Sequence, residues 1–292
     1  MKKVLITGAS GQVGSRLLKY LPSSEFDIYA ITSNSSKMES KLPIKRIFLD
    51  LLEDDVDPIM QEIRPEMLIH LAWETSPITF WDSLSNEKWL EASKSLVKSF
   101  QKHGGSKVII SGTCAEYDWR GSKALAEIDA EIPQSIYGKA KLELLNFLRN
   151  QYMPFLWTRT FFQFGDEEPP GRLVSSAIDA ISSGNEFLIR KPDDIRDYIY
   201  INDVAQIIAL LVIKGEEGVF NVGSGKGITM RELGEGIALG LGHVDLIRFQ
   251  NQSENPSIVI ANTTKLEKAL GGFRGTSLAE AINKTIKVRG TR

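Results

Sequence analysis

The chain has 292 residues, 42% hydrophobic and 25% charged, with 35 Lys and Arg against 37 Asp and Glu for a formal net charge of −2. That length suits one large domain or two interlocked lobes, and so even a charge offers no basic surface for nucleic acid. The one cysteine, Cys114, excludes an intramolecular disulfide and a zinc site built from cysteines, so no metal is expected.

The start, "MKKVLITGASGQVGSRLLKYL", runs into patterned sequence rather than the long apolar core of a signal peptide. No apolar run approaches the roughly eighteen residues of a membrane span, so a soluble cytoplasmic protein with no membrane partner is expected. Residues 4–7 form a short apolar, β-branched run that reads as a buried parallel strand. Gly8, Gly11 and Gly14 follow, then Leu17, Leu18 and Leu21 at helical spacing. In that context the glycines let the backbone approach a pyrophosphate while the helix start aims free N–H groups at its charge. The nucleotide loop is therefore Gly8, Ser10, Gly11, Gln12, Val13 and Gly14.

The second strand, "FDIYAIT", should end near the adenosine ribose, where a carboxylate favours NAD. "SNSSK" follows instead. Ser33, Asn34 and Lys37, with Arg16 as a further candidate, suit a 2′-phosphate better. NADP(H) is the cofactor expected, with NAD(H) as the alternative. "IFLDL" is a third strand leading to Asp50 and Leu51, and "MLIHLAW" a fourth, reaching Leu71 and Ala72. His70, inside that apolar run, reads as a satisfied core histidine. "SKVIISGTCAEYDW" is a further parallel-type strand with Thr113, Cys114 and Glu116 at its carboxyl end, where ligands bind in open α/β sheets. "PQSIYGKAKLELLNFL" then carries a helical stripe of Leu142, Leu145, Phe147 and Leu148, with Tyr137 and Lys141 one turn apart. "PFLWTRTFFQFG" is another strand, and in "PPGRL" Arg172 reads equally as a phosphate contact or a solvated loop arginine. "RDYIYINDVAQIIALLV" is a strand and a helix that Asn202 or Asp203 would cap, and its Arg196 suits a diphosphate. In "GVFNVGSGKGITMREL", Thr229 and Glu232 have capping-box spacing.

"TGASGQVG" resembles the T-G-x-x-G-x-x-G signature of the extended short-chain dehydrogenase/reductase family, in particular its NAD-dependent epimerase/dehydratase group, which modifies nucleotide sugars. "SGTCAEY" is similar to that family's S-S-[ST]-x-x-x-Y segment, and Tyr137 and Lys141 match its Y-x-x-x-K pair. "RDYIYINDVA" and "NVGSGKGITMREL" resemble two later segments, so the likeness runs from Gly8 to about Gly272. It implies an α/β fold: a Rossmann-type doubly wound parallel sheet with a smaller C-terminal substrate-binding lobe. The NAD(P)-binding domain would span 1–165, with 195–222 returning to it. The smaller lobe would be 166–194 and 223–292.

The resemblance also implies roles. Asp50, followed by Leu51, would receive the adenine amino group, and Leu71 and Ala72 would lie beside the pyrophosphate. Thr113, Tyr137 and Lys141 would be catalytic, Tyr137 and Lys141 also touching the cofactor, while Thr113, Arg172 and Arg196 would hold substrate. A phenol with a pKa near 10 is a poor proton carrier at neutral pH, so the ammonium and the nicotinamide ring are expected to favour its phenolate. Phe162 stands where the family has an asparagine that helps hold the diphosphate. Helices over 86–104 and 138–150 correspond to those that pair in family homodimers, so a homodimer is expected.

Family dehydratases carry Asp-Glu directly after the catalytic Thr. Here Cys114 and Ala115 follow, which argues against water elimination. The reaction expected is reduction of the 4-keto group of an NDP-4-keto-6-deoxyhexose, with Tyr137 as proton donor. The alternatives are an NAD-dependent NDP-sugar 4-epimerase and a non-catalytic NADP(H)-binding sensor or scaffold. Cys114 and Glu116 read as a buried small residue and a loop carboxylate.

Overall fold

The computed structural model describes residues 1–33, 43–77, 79–121, 123–250 and 255–290. In chain order the elements are β1 (Lys2–Thr7), α1 (Gln12–Leu17), β2 (Phe26–Thr32), β3 (Lys45–Phe48), α2 (Asp57–Ile63), β4 (Met67–His70), α3 (Ser85–Lys102), β5 (Lys107–Thr113), α4 (Ile136–Arg149), β6 (Phe155–Thr160) and β7 (Phe162–Phe164). Then follow α5 (Leu173–Ser182), β8 (Phe187–Ile189), β9 (Ile195–Tyr200), α6 (Ile201–Lys214), β10 (Gly218–Val222), β11 (Gly227–Thr229), α7 (Met230–Leu241), β12 (Ile247–Phe249), β13 (Ile258–Val259), α8 (Thr264–Leu270) and α9 (Leu278–Arg289).

Seven strands pair in the order β10-β6-β5-β4-β1-β2-β3, every pair parallel. The period of two along each strand sends alternate side chains into two cores. Val4, Ile6, Ile69 and Ile109 pack with Leu17 of α1 and with Val204, Ile208 and Leu211 of α6. Leu5, Leu68, Val108 and Ile110 pack with Met60 of α2, Leu96 and Phe100 of α3, and Leu144 and Leu148 of α4. Helices on both faces explain why the strands read as unbroken apolar runs. The fold class is thus the expected one: a doubly wound parallel sheet, with a smaller C-terminal sheet region beside it. Strand order reverses between β1 and β4, which opens a crevice at their carboxyl ends.

The smaller region is built on β9, which pairs with β7 and β13 in parallel and with β11 antiparallel. Its core holds Ile178, Ile181, Leu233, Ile237 and Ile282, from α5, α7 and α9. Two local expectations change here. The strand of "RDYIYI" does not return to the large sheet; α6 and β10 do. The reason is Asp197, fully buried on β9. It accepts hydrogen bonds from Ser224 N (2.7 Å) and Gly225 N (2.9 Å), on the turn between β10 and β11, and from Ala261 N (3.1 Å) after β13, which fix β9 between β11 and β13. Nor does Asn202 or Asp203 cap α6, whose first residues follow Tyr200 with no side-chain cap. Asp203 instead takes Thr276 N (2.6 Å) and Thr276 Oγ1 (2.9 Å), tying the segment before α9 to α6. The Thr229–Glu232 capping box forms at α7. Among the described residues, no helix is long and apolar enough to cross a membrane.

Candidate active site

The crevice begins at the glycine loop. Gly8 has φ 67°, a left-handed conformation, and a Cβ there would sit 2.6 Å from Ala72 N. A Cβ at Gly14 would strike Gly8 O. The turn therefore packs backbone to backbone against the end of β4, and Gly8, Gly11, Gln12, Val13 and Gly14 line a cleft of about 440 Å3. Ser10 Oγ pairs with Thr32 Oγ1 (2.8 Å), joining the loop to the end of β2. Leu71 lines the cleft, and Ala72 N donates to Thr7 Oγ1 (3.3 Å). A glycine-rich loop at the mouth of a parallel sheet, with backbone open to close approach, fits a dinucleotide pyrophosphate.

Around the adenosine end the picture is mixed. Ser33 is exposed just past β2, while Asn34 and Lys37 lie outside the described residues. Asp50, past β3, accepts from Leu52 N (3.0 Å), and Leu51 is half-buried against the core. Arg16 does not face this end. Its guanidinium donates to Gln12 O (2.8 Å) and Asp166 O (2.7 Å), bracing α1 against the loop after β7.

Thr113 ends β5 and caps a short 3-10 turn, Cys114–Glu116. Its Oγ1 accepts from Ala115 N (3.2 Å), and its N–H donates to Glu116 Oε1 (2.8 Å). Ser135 caps α4 through Gly138 N (3.0 Å), and a Cβ at Gly138 would strike Ala115 O. That close approach seats the start of α4 on the turn and brings Tyr137 to Thr113. Lys141, one turn on, donates from Nζ to Ser111 O (2.9 Å) and stands 3.8 Å from the centroid of the Trp73 ring. Thr113, Tyr137 and Lys141 all line the cleft.

In the protein alone, burial dominates the electrostatics of both side chains. Burial pushes the Tyr137 phenol well above its ordinary value, with the nearby Thr113 hydroxyl opposing. Burial lowers Lys141 to about 7, with the Glu116 charge opposing. The box is aromatic: Phe80, Trp81 and Trp73 set their rings 5.1, 5.8 and 6.3 Å from that of Tyr137. Sequence reasoning passed over these three. The available signal was three aromatic residues in "AWETSPITFW", on the loop leaving the ligand end of β4.

Glu116 is not a loop carboxylate. It is fully buried, accepting from Arg159 Nε (2.7 Å) and Trp157 Nε1 (3.1 Å); Arg159 in turn reaches Glu131, itself paired with Arg149 (2.7 Å). Burial raises the Glu116 carboxyl, with the Arg159 charge opposing. Cys114 is buried, and its thiol is pushed up by burial first and by Asp197 next. His70 is buried, with Nδ1 at Thr7 Oγ1 (2.7 Å) and Nε2 at Ser93 Oγ (2.8 Å).

The two candidate arginines part company. Arg172 lines the cleft; its Nη2 donates to Thr75 O (3.4 Å), and its buried Nε has no partner among the described residues. Arg196 is not among the lining residues. It donates to Asp194 Oδ2 (2.8 Å), Ser257 O (2.8 Å) and Ser257 Oγ (2.7 Å), with its guanidinium carbon 5.5 Å from the Phe162 ring centroid. Among the described residues no three His, Cys, Asp or Glu side chains gather as a metal site.

Residues 4–223 match the NAD dependent epimerase/dehydratase family. The chain belongs to that family, the extended short-chain dehydrogenase/reductase group of nucleotide-sugar enzymes. Two curated relatives match it nearly end to end. A dTDP-4-dehydro-6-deoxyglucose reductase of Escherichia coli is 25% identical, over 97% of this chain and 96% of its own. A UDP-glucose 4-epimerase of Halalkalibacterium halodurans is 24% identical, over 92% and 89%. Among solved structures, the UDP-glucose 4-epimerase of Thermotoga maritima with UDP-glucose superposes with a TM-score of 0.86 at 22% identity, covering 99% of both chains. The Stenotrophomonas maltophila UDP-glucose-4-epimerase, with bound NAD and formylated UDP-arabinopyranose, does so with a TM-score of 0.87 at 19% identity, covering 100% and 98%.

Proposed function

We propose that this protein is a 4-ketoreductase acting on an NDP-4-keto-6-deoxyhexose and preferring NADP(H) to NAD(H). The observation that supports this reading is geometric: the Tyr137 phenol lines one cleft with the Thr113 hydroxyl and Lys141, boxed by aromatic rings, where its O–H can be given to a substrate oxygen. The reduced nicotinamide supplies the hydride when bound. The glycine loop seats the pyrophosphate, and Lys141, fixed at Ser111 O, offers its amine to the nicotinamide ribose. Thr113 donates a hydrogen bond to the substrate carbonyl and stabilises the negative charge that develops on it. Tyr137 then passes its proton to that oxygen, giving the C4 alcohol. Trp73, Phe80 and Trp81 keep water from the site.

A second reading, NDP-sugar 4-epimerisation, is favoured by the UDP-glucose 4-epimerases among the relatives. It needs a tightly held NAD, whereas the reductase exchanges its cofactor. Cofactor released from the purified protein separates the two: NAD in stoichiometric amount overturns the reductase reading. A sensor or scaffold role is disfavoured by the presence of both Tyr137 and Lys141. Tyr137→Phe is expected to cut turnover by about 10²–10⁴-fold while the protein still binds NADPH. Full activity in that variant removes Tyr137 from the chemistry.

A further inference from the structure

Four buried side-chain polar atoms have no hydrogen-bond partner among the described residues: Thr158 Oγ1, Thr160 Oγ1, Gln163 Oε1 and Arg172 Nε. Thr158 lies within β6, but Thr160, Gln163 and Arg172 all line the cleft. Native chains pair roughly nine in ten of their buried polar groups, so three orphans around one cavity mark a place where a ligand completes the pairing. Their positions are distinct. Thr160 closes β6 as the register neighbour of Thr113, beside the reacting centre. Gln163 is on β7, the first strand of the smaller sheet region. Arg172 precedes α5, and its guanidinium carbon is 6.0 Å from the Phe80 ring centroid. Arg196 has both terminal nitrogens engaged, by Asp194, Ser257 and Ile195 O, and does not line the cleft, whereas Arg172 lines it with a buried Nε that has no partner among the described residues.

The set is a hydroxyl, an amide oxygen and a cation, amid aromatic surface. One edge of a hexose that reacts at C4 and is phosphorylated at C1 has the matching order: C3 hydroxyl, C2 hydroxyl, phosphate. The other edge, C5 and C6, is apolar in a 6-deoxy sugar. We propose that Thr160 and Gln163 take the two ring hydroxyls and Arg172 the phosphate on C1, leaving the methyl edge to Phe80 and Phe162. This wall rests on the nucleotide-sugar reading and names how that substrate is recognised.

Binding, rather than turnover, tests it. With NADP⁺ present, UDP-glucose, dTDP-glucose, UDP and dTDP are titrated against the tryptophan fluorescence of the protein, which has Trp73 and Trp81 in the cleft. NADPH is titrated separately through its own fluorescence. Thr160→Val and Gln163→Leu are each expected to weaken nucleotide-sugar binding about ten-fold, leaving nucleoside diphosphate and NADPH affinities at the wild-type value. Arg172→Ala is expected to weaken both nucleotide sugars and nucleoside diphosphates. Melting temperature checks each fold, with Gln163→Ala as the substitute if the leucine variant melts early. Unchanged nucleotide-sugar affinity in folded variants, or a loss confined to NADPH, overturns the proposal and leaves the nucleotide-sugar reading standing. A wild-type protein that binds neither UDP-glucose nor dTDP-glucose, nor GDP-mannose or CDP-glucose titrated in the same way, overturns both.

Discussion

His70 sits in the apolar strand β4 with both ring nitrogens satisfied, by Thr7 and Ser93. Burial, with the Lys141 charge behind it, lowers its pKa from 6.5 to about 3. An unfolded chain takes up this proton near 6.5, the folded chain only near 3. The stability contributed by the neutral ring is therefore complete above pH 6.5 and is lost as pH falls toward 3. His70→Asn should flatten the acid limb of stability against pH in urea titrations at pH 4 to 7; a limb of unchanged slope means that other groups set it. Arg159 makes a different case. It faces Glu116 in a pair with no exposed side-chain surface. Arg159→Leu strands a buried carboxylate and should cost about 3–5 kcal/mol in urea unfolding, with part recovered in the double variant carrying Glu116→Gln as well. A cost under about 1 kcal/mol, as for surface pairs, contradicts this. The two residues also show what sequence can reveal. Thr113, Tyr137 and Lys141 stood out because each sits in a local pattern, and the structure brings all three to one cleft. The Glu116–Arg159 pair was not, because its members lie 43 positions apart and only the β5–β6 pairing brings them together.

At the scale of elements, periodicity and punctuation gave most of the strands and helices, and the glycine loop stood out because strand, turn and helix adjoin. What periodicity cannot supply is a strand's partner. β9 alternates as well for one sheet as for the other, and the contacts that hold it, such as the donors that meet Asp197, come from segments far along the chain. The loop of aromatics after β4 was likewise hidden, since loops carry no period. The glycine loop itself gives a sharp expectation. Gly8→Ala adds a side chain at φ 67° against Ala72 N, and the turn must open to relieve it. NADPH affinity should fall at least ten-fold while the far-UV dichroism stays that of wild type. Wild-type affinity in this variant contradicts a close backbone approach to the pyrophosphate.

Across the whole molecule the chain crosses between its two regions repeatedly: out after β6, back with α6 and β10, out again through β11 and α7. Further ties are Arg16 to Asp166 and Asp203 to Thr276. Regions stitched this often should unfold together, so calorimetry should show one transition. Saturating NADPH at a hundred times its dissociation constant should stabilise that transition by about 2.7 kcal/mol, and two separate transitions contradict the stitching. The homodimer remains a proposal from the resemblance, and the outer faces of α3 and α4 set its character. Lys94 on α3 binds both Glu91 (2.8 Å) and Glu143 of α4 (2.7 Å). Among the described residues, the large hydrophobic side chains that are exposed all lie outside these two helices, Leu84 just preceding α3. A seam laid across such faces is mainly polar and charged, so salt screens it. Sedimentation at micromolar protein should give a dimer in 50 mM salt that dissociates toward monomer by 0.5 M. A monomer at both concentrations rules out this pairing, and a dimer indifferent to salt places the contact on another, more apolar face.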